Sequence, residues 1–207
     1  MIPVIYEDQW LLILDKPEGL LVIPTPKAET HTLTGILNER LKKDNIPYRL
    51  HPCHRLDRDT SGLIIYAKGK SIQKKMMDGF RDKKIKKKYI AFVQGCPRIS
   101  DGQITDRIEG RPAVTKYRIL ECRDDFSVVE ASPVTGRTNQ IRLHFKQLGN
   151  PILGDTRFVF RRHFKVKAKR LCLHAKSLEF IHPITGEKIF AESELPDKMC
   201  QMLERRQ

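Results

Sequence analysis

The stretch HRLDRDTSGLIIYAK, residues 54–68, sets Arg55, Asp57, Arg58 and Asp59 directly before an apolar run. A carboxylate at the lip of a buried strand is a candidate nucleophile, provided it stays ionised and faces a substrate carbon. Burial alone raises the pKa of such an acid and weakens it, so the chemistry asks for a cation alongside. The segment GRTNQIRLH offers one. Arg137 precedes a helical pattern and Arg142 sits on its first turn, at the edge of the apolar face made by Ile141 and Phe145. A guanidinium there stays charged and can grip a carboxylate with two prongs. Tyr89 follows a lysine run in KKYIAFVQG and adds a ring beside a strand. On residue chemistry alone this set describes a basic, RNA-directed protein, and leaves open whether the charged turn is catalytic or only a turn.

Other chemistries lack their residues. There is no GxxxxGK[ST] loop for a nucleoside triphosphate and no GxGxxG for a dinucleotide. The glycine-rich strand-turn-helix of methyl-donor enzymes is also absent. His51 and His54 flank Cys53, but no second ligand pair follows at zinc-site spacing. His174 and His182 have strand-like spacing and read as structural or RNA-facing. The five cysteines (53, 96, 122, 172 and 200) are odd in number, widely separated and form no CxxC pair. They give no disulfide framework, and a reducing, cytoplasmic compartment is the expectation. The N-terminal MIPVIYEDQW has no secretory pattern, and no apolar run approaches the ~18 residues of a membrane span.

Charge identifies the partner class. Lys and Arg number 39 against 25 Asp and Glu, a formal net charge of +14. The excess is clustered: residues 83–88 hold five lysines, and no acid occurs between Asp155 and Glu179, where RFVFRRHFKVKAKR lies. Such runs attract polyanions by neutralising phosphates and releasing counterions. Neither run forms a clear amphipathic helix, so nucleic acid is expected rather than a membrane surface. In the second run the cations alternate with Phe164 and Val166, as in a mobile loop that offers charges to phosphates and one ring to a base.

The elements that must position these residues follow from patterning. WLLILDKPEGLLVI reads as two short strands about a Pro-Glu-Gly turn. THTLTGILNERLKK reads as a helix capped by Thr32, and SIQKKMMDGFRD as a helix capped by Ser71 that buries Ile72, Met76 and Phe80. KKYIAFVQG is a strand, and AVTKYRILE and FSVVEAS are a pair joined through CRDD. TNQIRLHFKQLG is a helix from the cap Thr138 to the stop Gly149, burying Ile141, Phe145 and Leu148. RLCLHAKSLEFI and KIFAES are strands, and LPDKMCQMLERR closes the chain as a helix. Strands dominate and helices interrupt them irregularly, which predicts an α+β fold.

HRLDRDTSGLIIYAK resembles the signature of the RluA branch of the pseudouridine synthases, RNA enzymes that isomerise uridine. LLILDKPEGLLVIP, KKYIAFVQG, PAVTKYRILE, PVTGRTNQIRLHFKQLGNPILGD and RLCLHAKSLEFIHPITGE resemble further motifs of that family in the same order, over roughly residues 4–200. The resemblance implies one catalytic domain over 1–207, with a mixed, mainly antiparallel sheet, flanking helices and a central cleft. It implies no cofactor and no metal, and ribosomal or transfer RNA as substrate. Unlike many relatives, the chain is expected to have no separate N-terminal RNA-binding domain, and with no obvious heptad or exposed apolar strip a monomer is expected. Asp57 is then the nucleophile. Tyr89 stacks on the uracil and helps remove the proton from ring carbon 5, and Arg142 keeps Asp57 ionised and oriented. Arg55 fills the gap left by the flipped nucleotide, while Thr60, Ser61 and Gly62 shape the turn. The expected RNA contacts are Arg55, Lys87, Arg137, Arg161, Arg162, Lys165, Lys167, Lys169 and Arg170.

The chain also departs from the family pattern. Asn139 and Asn150 stand where His is frequent, and TRFVFRRHFKVKAKR replaces the Tyr-Gly expected after GD. Two rivals carry other expectations. A non-catalytic RNA-binding module needs the basic runs without the Asp57, Tyr89 and Arg142 set. A metal-dependent nuclease needs clustered carboxylates, and Asp57 with Asp59 is the only close pair in the motif.

Overall fold

The computed structural model describes residues 2–25 and 31–204. The chain gathers into two compact units, neither of them contiguous in sequence. The first comprises Met1–Lys86 with Ser177–Ser193, the second Lys87–Lys176 with Glu194–Gln207.

In the first unit, β1 (Val4–Glu7) pairs antiparallel with β2 (Leu11–Lys16), and β2 with β4 (Ser61–Lys68). The short β3 (Leu50–Pro52) also pairs with β4, and β10 (Lys188–Glu192) pairs with the second half of β9 (Leu173–Ile181). Every residue of β4 from Ser61 to Ala67 is buried, which is why the sequence there is continuously apolar rather than alternating. One face of β2 and β4 (Leu11, Ile13, Leu63, Ile65) packs with Ile72 and Met76 of α2 (Lys70–Arg81) and with Phe180 and Ile189. Helix α1 (Leu33–Lys43) begins as its sequence predicts, the Thr32 hydroxyl accepting from the Gly35 amide at 3.2 Å. Helix α2 does not: it starts at Lys70 after Gly69, whose φ is +127°, and no side chain caps it. The second strand expected after the Pro-Glu-Gly turn shrinks to a single bridge from Leu21 to Thr32.

In the second unit, β5 (Lys86–Gln94), β8 (Phe126–Pro133), β7 (Thr115–Cys122) and β6 (Asp101–Ile104) lie side by side in that order, all antiparallel. Helix α3 (Gln140–Gln147) covers this sheet with Ile141 and Phe145, and α4 (Asp197–Glu204) adds Met199. Two details of α3 differ from what its sequence predicts. Its N-cap is Asn139, in the left-handed conformation at φ 54°, not Thr138, and Leu148 is exposed. Cys96 and Cys122 form a disulfide between the end of β5 and the end of β7, against the expectation from cysteine spacing. Two cysteines 26 residues apart carry no local signal of pairing; the antiparallel sheet brings them together. The α+β class and the mainly antiparallel pairing stand as expected.

Candidate active site

Asp57 lies in the turn between β3 and β4, partly buried, and the amide of Thr60 donates to its backbone carbonyl at 3.2 Å. A residue absent from the expected site builds this turn. Lys16, at the end of β2, is fully buried, and its ammonium donates to the carbonyls of Pro17 and Leu20 at 2.8 Å and of Arg58 at 2.9 Å. Charge-assisted bonds of this kind are the strong ones, so Lys16 ties the Pro-Glu-Gly turn to the turn that carries Asp57. The signal is present in LLILDKPEG: a lysine where the strand pattern calls for a core residue. Arg55 is exposed beside Asp57, and Thr60 is buried. His54 is structural, its Nε2 accepting from the Ile65 amide at 3.1 Å and its ring 4.8 Å from that of Phe80.

Arg142 is 3% exposed, deeper than the helix-edge position that periodicity predicts. Its Nε donates to Oδ2 of Asp155 at 2.8 Å, its Nη2 to Oδ1 at 2.7 Å, and its Nη1 to Oδ1 of Asn139 at 3.1 Å. The ring of Phe158 lies 4.8 Å from its guanidinium carbon. Asn139 therefore has two local tasks: it tolerates the left-handed backbone that starts α3, and it orients Arg142. The preceding turn is locked by Gln140, which accepts from the Thr135 hydroxyl at 2.6 Å and the Arg137 amide at 3.0 Å. Its amide nitrogen donates to the Val114 carbonyl and the Thr115 hydroxyl, both at 2.9 Å. Arg137 itself turns its Nε to the Pro112 carbonyl at 3.0 Å.

Strand alternation on β5 separates the lysine run into two sets. Lys86 and Lys88 project one way and meet Glu179 and Glu130 at 2.8 and 3.1 Å. Lys87 and Tyr89 share the other face, and both are partly buried. Burial pushes the Lys87 ammonium below its usual range. The run is thus less of a free cationic footprint than its five charges suggest.

The basic segment after Asp155 is also ordered by alternation. Arg161–His163 form one turn of 3₁₀ helix, after which Phe164 is buried and Val166 and Ala168 pack on the core of the second unit. Lys165, Lys167 and Lys169 point out between them, with Arg161 and Arg162 also exposed. Arg170 is buried, donating from Nε to the Leu171 carbonyl at 3.0 Å. The ring offered to solvent is not Phe164, as the sequence suggests, but Phe160.

Among the described residues, no group of three or more His, Cys, Asp and Glu side chains is placed to hold a metal ion. His182 accepts from the Ile184 and Thr185 amides at Nδ1 and turns Nε2 to Asp8 at 3.0 Å, a structural task. Among the described residues, no helix is long and apolar enough to cross a membrane.

An α+β chain with an acid on a lysine-clamped turn, a buried arginine set by helix α3 and an ordered basic segment has the parts of an RNA-modifying enzyme. The sequence matches the family described as RNA pseudouridylate synthase over residues 10–147, and the chain belongs to that family of isomerases. It is 38% identical to the dual-specificity RNA pseudouridine synthase RluA of Haemophilus influenzae, over 89% of each chain. It is 35% identical to the RNA pseudouridine synthase YlyB of Bacillus subtilis, over 96% of this chain and 71% of that one. It is also 34% identical to ribosomal large subunit pseudouridine synthase C of Vibrio cholerae, over 97% and 68%. Among solved structures, human RNA pseudouridylate synthase domain containing 4 superposes with a TM-score of 0.82 at 25% identity, covering 97% of this chain and 91% of that one.

Proposed function

We propose that this pseudouridine synthase acts on ribosomal RNA, with Asp57 as its nucleophile and a flipped uridine as its substrate. The observation that carries the reading is the turn bearing Asp57: the motif HRLDRDTSG is intact, and a fully buried lysine holds its backbone. The ribosomal target is supported by what the similar protein of Vibrio cholerae is named for.

In this reading Asp57 attacks the ribose anomeric carbon or the uracil ring, and the glycosidic carbon–nitrogen bond breaks. The uracil turns, a bond forms from its carbon 5 to the same sugar carbon, the bond to Asp57 breaks, and the proton lost from carbon 5 is balanced by one gained at the ring nitrogen that left the sugar. No atom is gained or lost overall. Tyr89 is assigned to the uracil face and to that proton, Arg142 to keeping the nucleophile ionised, and Arg55 to the gap in the base stack. Flipping is required because a stacked base cannot present its sugar carbon to a side chain, and unstacking costs a few kcal/mol.

The test is incubation of the protein with uridine-containing ribosomal RNA in the presence of a chelator, followed by site-specific detection of pseudouridine. Isomerisation by wild type, its loss in Asp57→Asn and retained binding by that variant are expected, because phosphate contacts elsewhere carry most of the affinity. Turnover by Asp57→Asn within tenfold of wild type overturns the nucleophile. Binding without isomerisation by wild type makes the chain a non-catalytic RNA-binding module. Transfer RNA in the same assay decides the second substrate class.

A further inference from the structure

Phe160 is 71% exposed, the largest fractional exposure of any large apolar side chain among the described residues. It stands at the start of the basic segment, one residue after Val159, which packs on the core of the second unit, and four before the buried Phe164. Anchors on both sides hold its backbone. The Arg162 guanidinium carbon lies 5.4 Å from the centre of its ring, and the ring of His163 meets it edge-on at 5.8 Å. Around it Arg161, Arg162, Lys165, Lys167 and Lys169 are exposed, and Lys165 approaches an acid, Asp125, at 3.8 Å. A single exposed ring is ordinary on a protein surface, but here cations gather about it and disfavour an apolar protein partner. A flat π-face among phosphate-binding charges is the arrangement that holds single-stranded nucleic acid.

We propose that Phe160 is a stacking platform for an unpaired base of the substrate RNA, outside the target uridine, with the surrounding cations on the adjacent phosphates. The proposal rests on the RNA-directed reading above and adds to it a requirement for an unpaired nucleotide besides the target uridine. It also gives the segment that departs most from the family pattern a part in choosing the target.

The experiment compares wild type, Phe160→Ala and Phe160→Trp for binding to a stem-loop RNA with an unpaired loop and to a fully paired duplex, across a series of salt concentrations. Loss of one base–aromatic stack is expected to weaken stem-loop binding roughly 5- to 150-fold in Phe160→Ala. Binding to the duplex should be little changed, and Trp should restore the loss. The salt dependence should keep its slope, because the ring touches no phosphate, and the melting temperature should not move, because the side chain is exposed. Stem-loop affinity of Phe160→Ala within twofold of wild type overturns the proposal, as does an equal loss on the duplex. Wild type that neither binds nor isomerises RNA overturns the parent reading instead. Wild-type isomerisation with an unaffected Phe160→Ala overturns this inference alone.

Discussion

Arg142 and Asp155 form a buried two-pronged ion pair, Nε to Oδ2 at 2.8 Å and Nη2 to Oδ1 at 2.7 Å, with both side chains at most 3% exposed. The arginine comes from helix α3 and the acid from the loop that follows it, so the pair fixes where the guanidinium sits. Removing one member of such a pair strands the other charge in a poorly solvated site, at a cost of about 3–5 kcal/mol. Asp155→Ala should therefore lose about that much unfolding free energy in urea. Arg142→Lys keeps the charge but not the fork, and should lose turnover at least a hundredfold while remaining folded. The double variant Arg142→Met, Asp155→Leu separates the two tasks: stability should largely return, and activity should not. Near-normal turnover by folded Arg142→Lys would remove Arg142 from the chemistry.

The residue before Asp155 makes that pair possible. Gly154 has φ +75°, and a methyl group built on it would run into the backbone carbonyl of Arg170. The loop is stitched there by backbone bonds from Leu153 to Phe92 at 2.8 Å and from Cys172 to Leu153 at 2.9 Å. Backbone on both sides cannot yield as a flexible side chain would. Gly154→Ala should cost at least the ~1–2 kcal/mol of a left-handed non-glycine residue, and more for the overlap. Its turnover should fall further than that of an equally destabilised variant in the core of the first unit, because Asp155 moves with the loop. Equal activity in the two variants would argue that the Asp155 loop only stabilises.

Much of this is legible in the sequence because periodicity reports burial. Strands β4, β5, β7 and β8 and helix α1 with its Thr32 cap lie where their patterns put them. What escapes depends on partners distant in sequence. Lys16 stands out as a lysine at a core position of its strand, but its task is set only by Arg58, 42 residues on, which supplies a carbonyl. Asp155 reads as a turn residue, and its pairing with Arg142 needs the loop geometry that Gly154 allows. The Ser71 cap fails because Gly69 brings the chain into α2 two residues early. The basic segment reads as a mobile loop because charges dominate it, although the apolar residues between them anchor it.

A buried histidine gives the second unit a defined response to acid. His144 Nε2 lies 3.0 Å from the Asp106 carbonyl and must donate to it, so Nδ1, 2.9 Å from Oγ1 of Thr115, accepts from that hydroxyl. That hydroxyl in turn accepts from Gln140. Protonating Nδ1 sets a donor against a donor in a buried site, and burial holds the His144 pKa below its ordinary 6.5. The unfolded chain therefore binds this proton more readily than the folded one. The resulting stability is complete above about pH 6.5 and is lost as pH falls through the depressed folded value. Urea midpoints between pH 7.5 and 5 should fall for wild type and fall less steeply for His144→Gln. A residual slope should remain from His51, whose pKa is lowered by burial and then by Lys70 and Arg49. Parallel profiles for the two proteins would show that His144 does not titrate with folding.

Lys165, Lys167 and Lys169 test whether the ordered basic segment touches the substrate. All three are exposed while Phe164, Val166 and Ala168 fasten the backbone, so their ammonium groups are offered to solvent from an anchored segment. Replacing all three by Gln removes charge without loosening the anchors, and the melting temperature should hold. Every phosphate that goes unneutralised lowers the slope of log affinity against log salt by ~0.7–0.9, so the triple variant should flatten it by roughly 1.5–2.5 units. Lys165 already faces Asp125 at 3.8 Å and should contribute least when the three are reverted singly. Turnover at saturating RNA should change little, since Asp57, Tyr89 and Arg142 are untouched. Arg170→Gln is the control: that side chain is buried, so its loss should lower stability and leave the salt slope unchanged. A triple variant with the wild-type slope would show that these lysines do not meet RNA, and would place the electrostatic footprint on the exposed cations of the first unit.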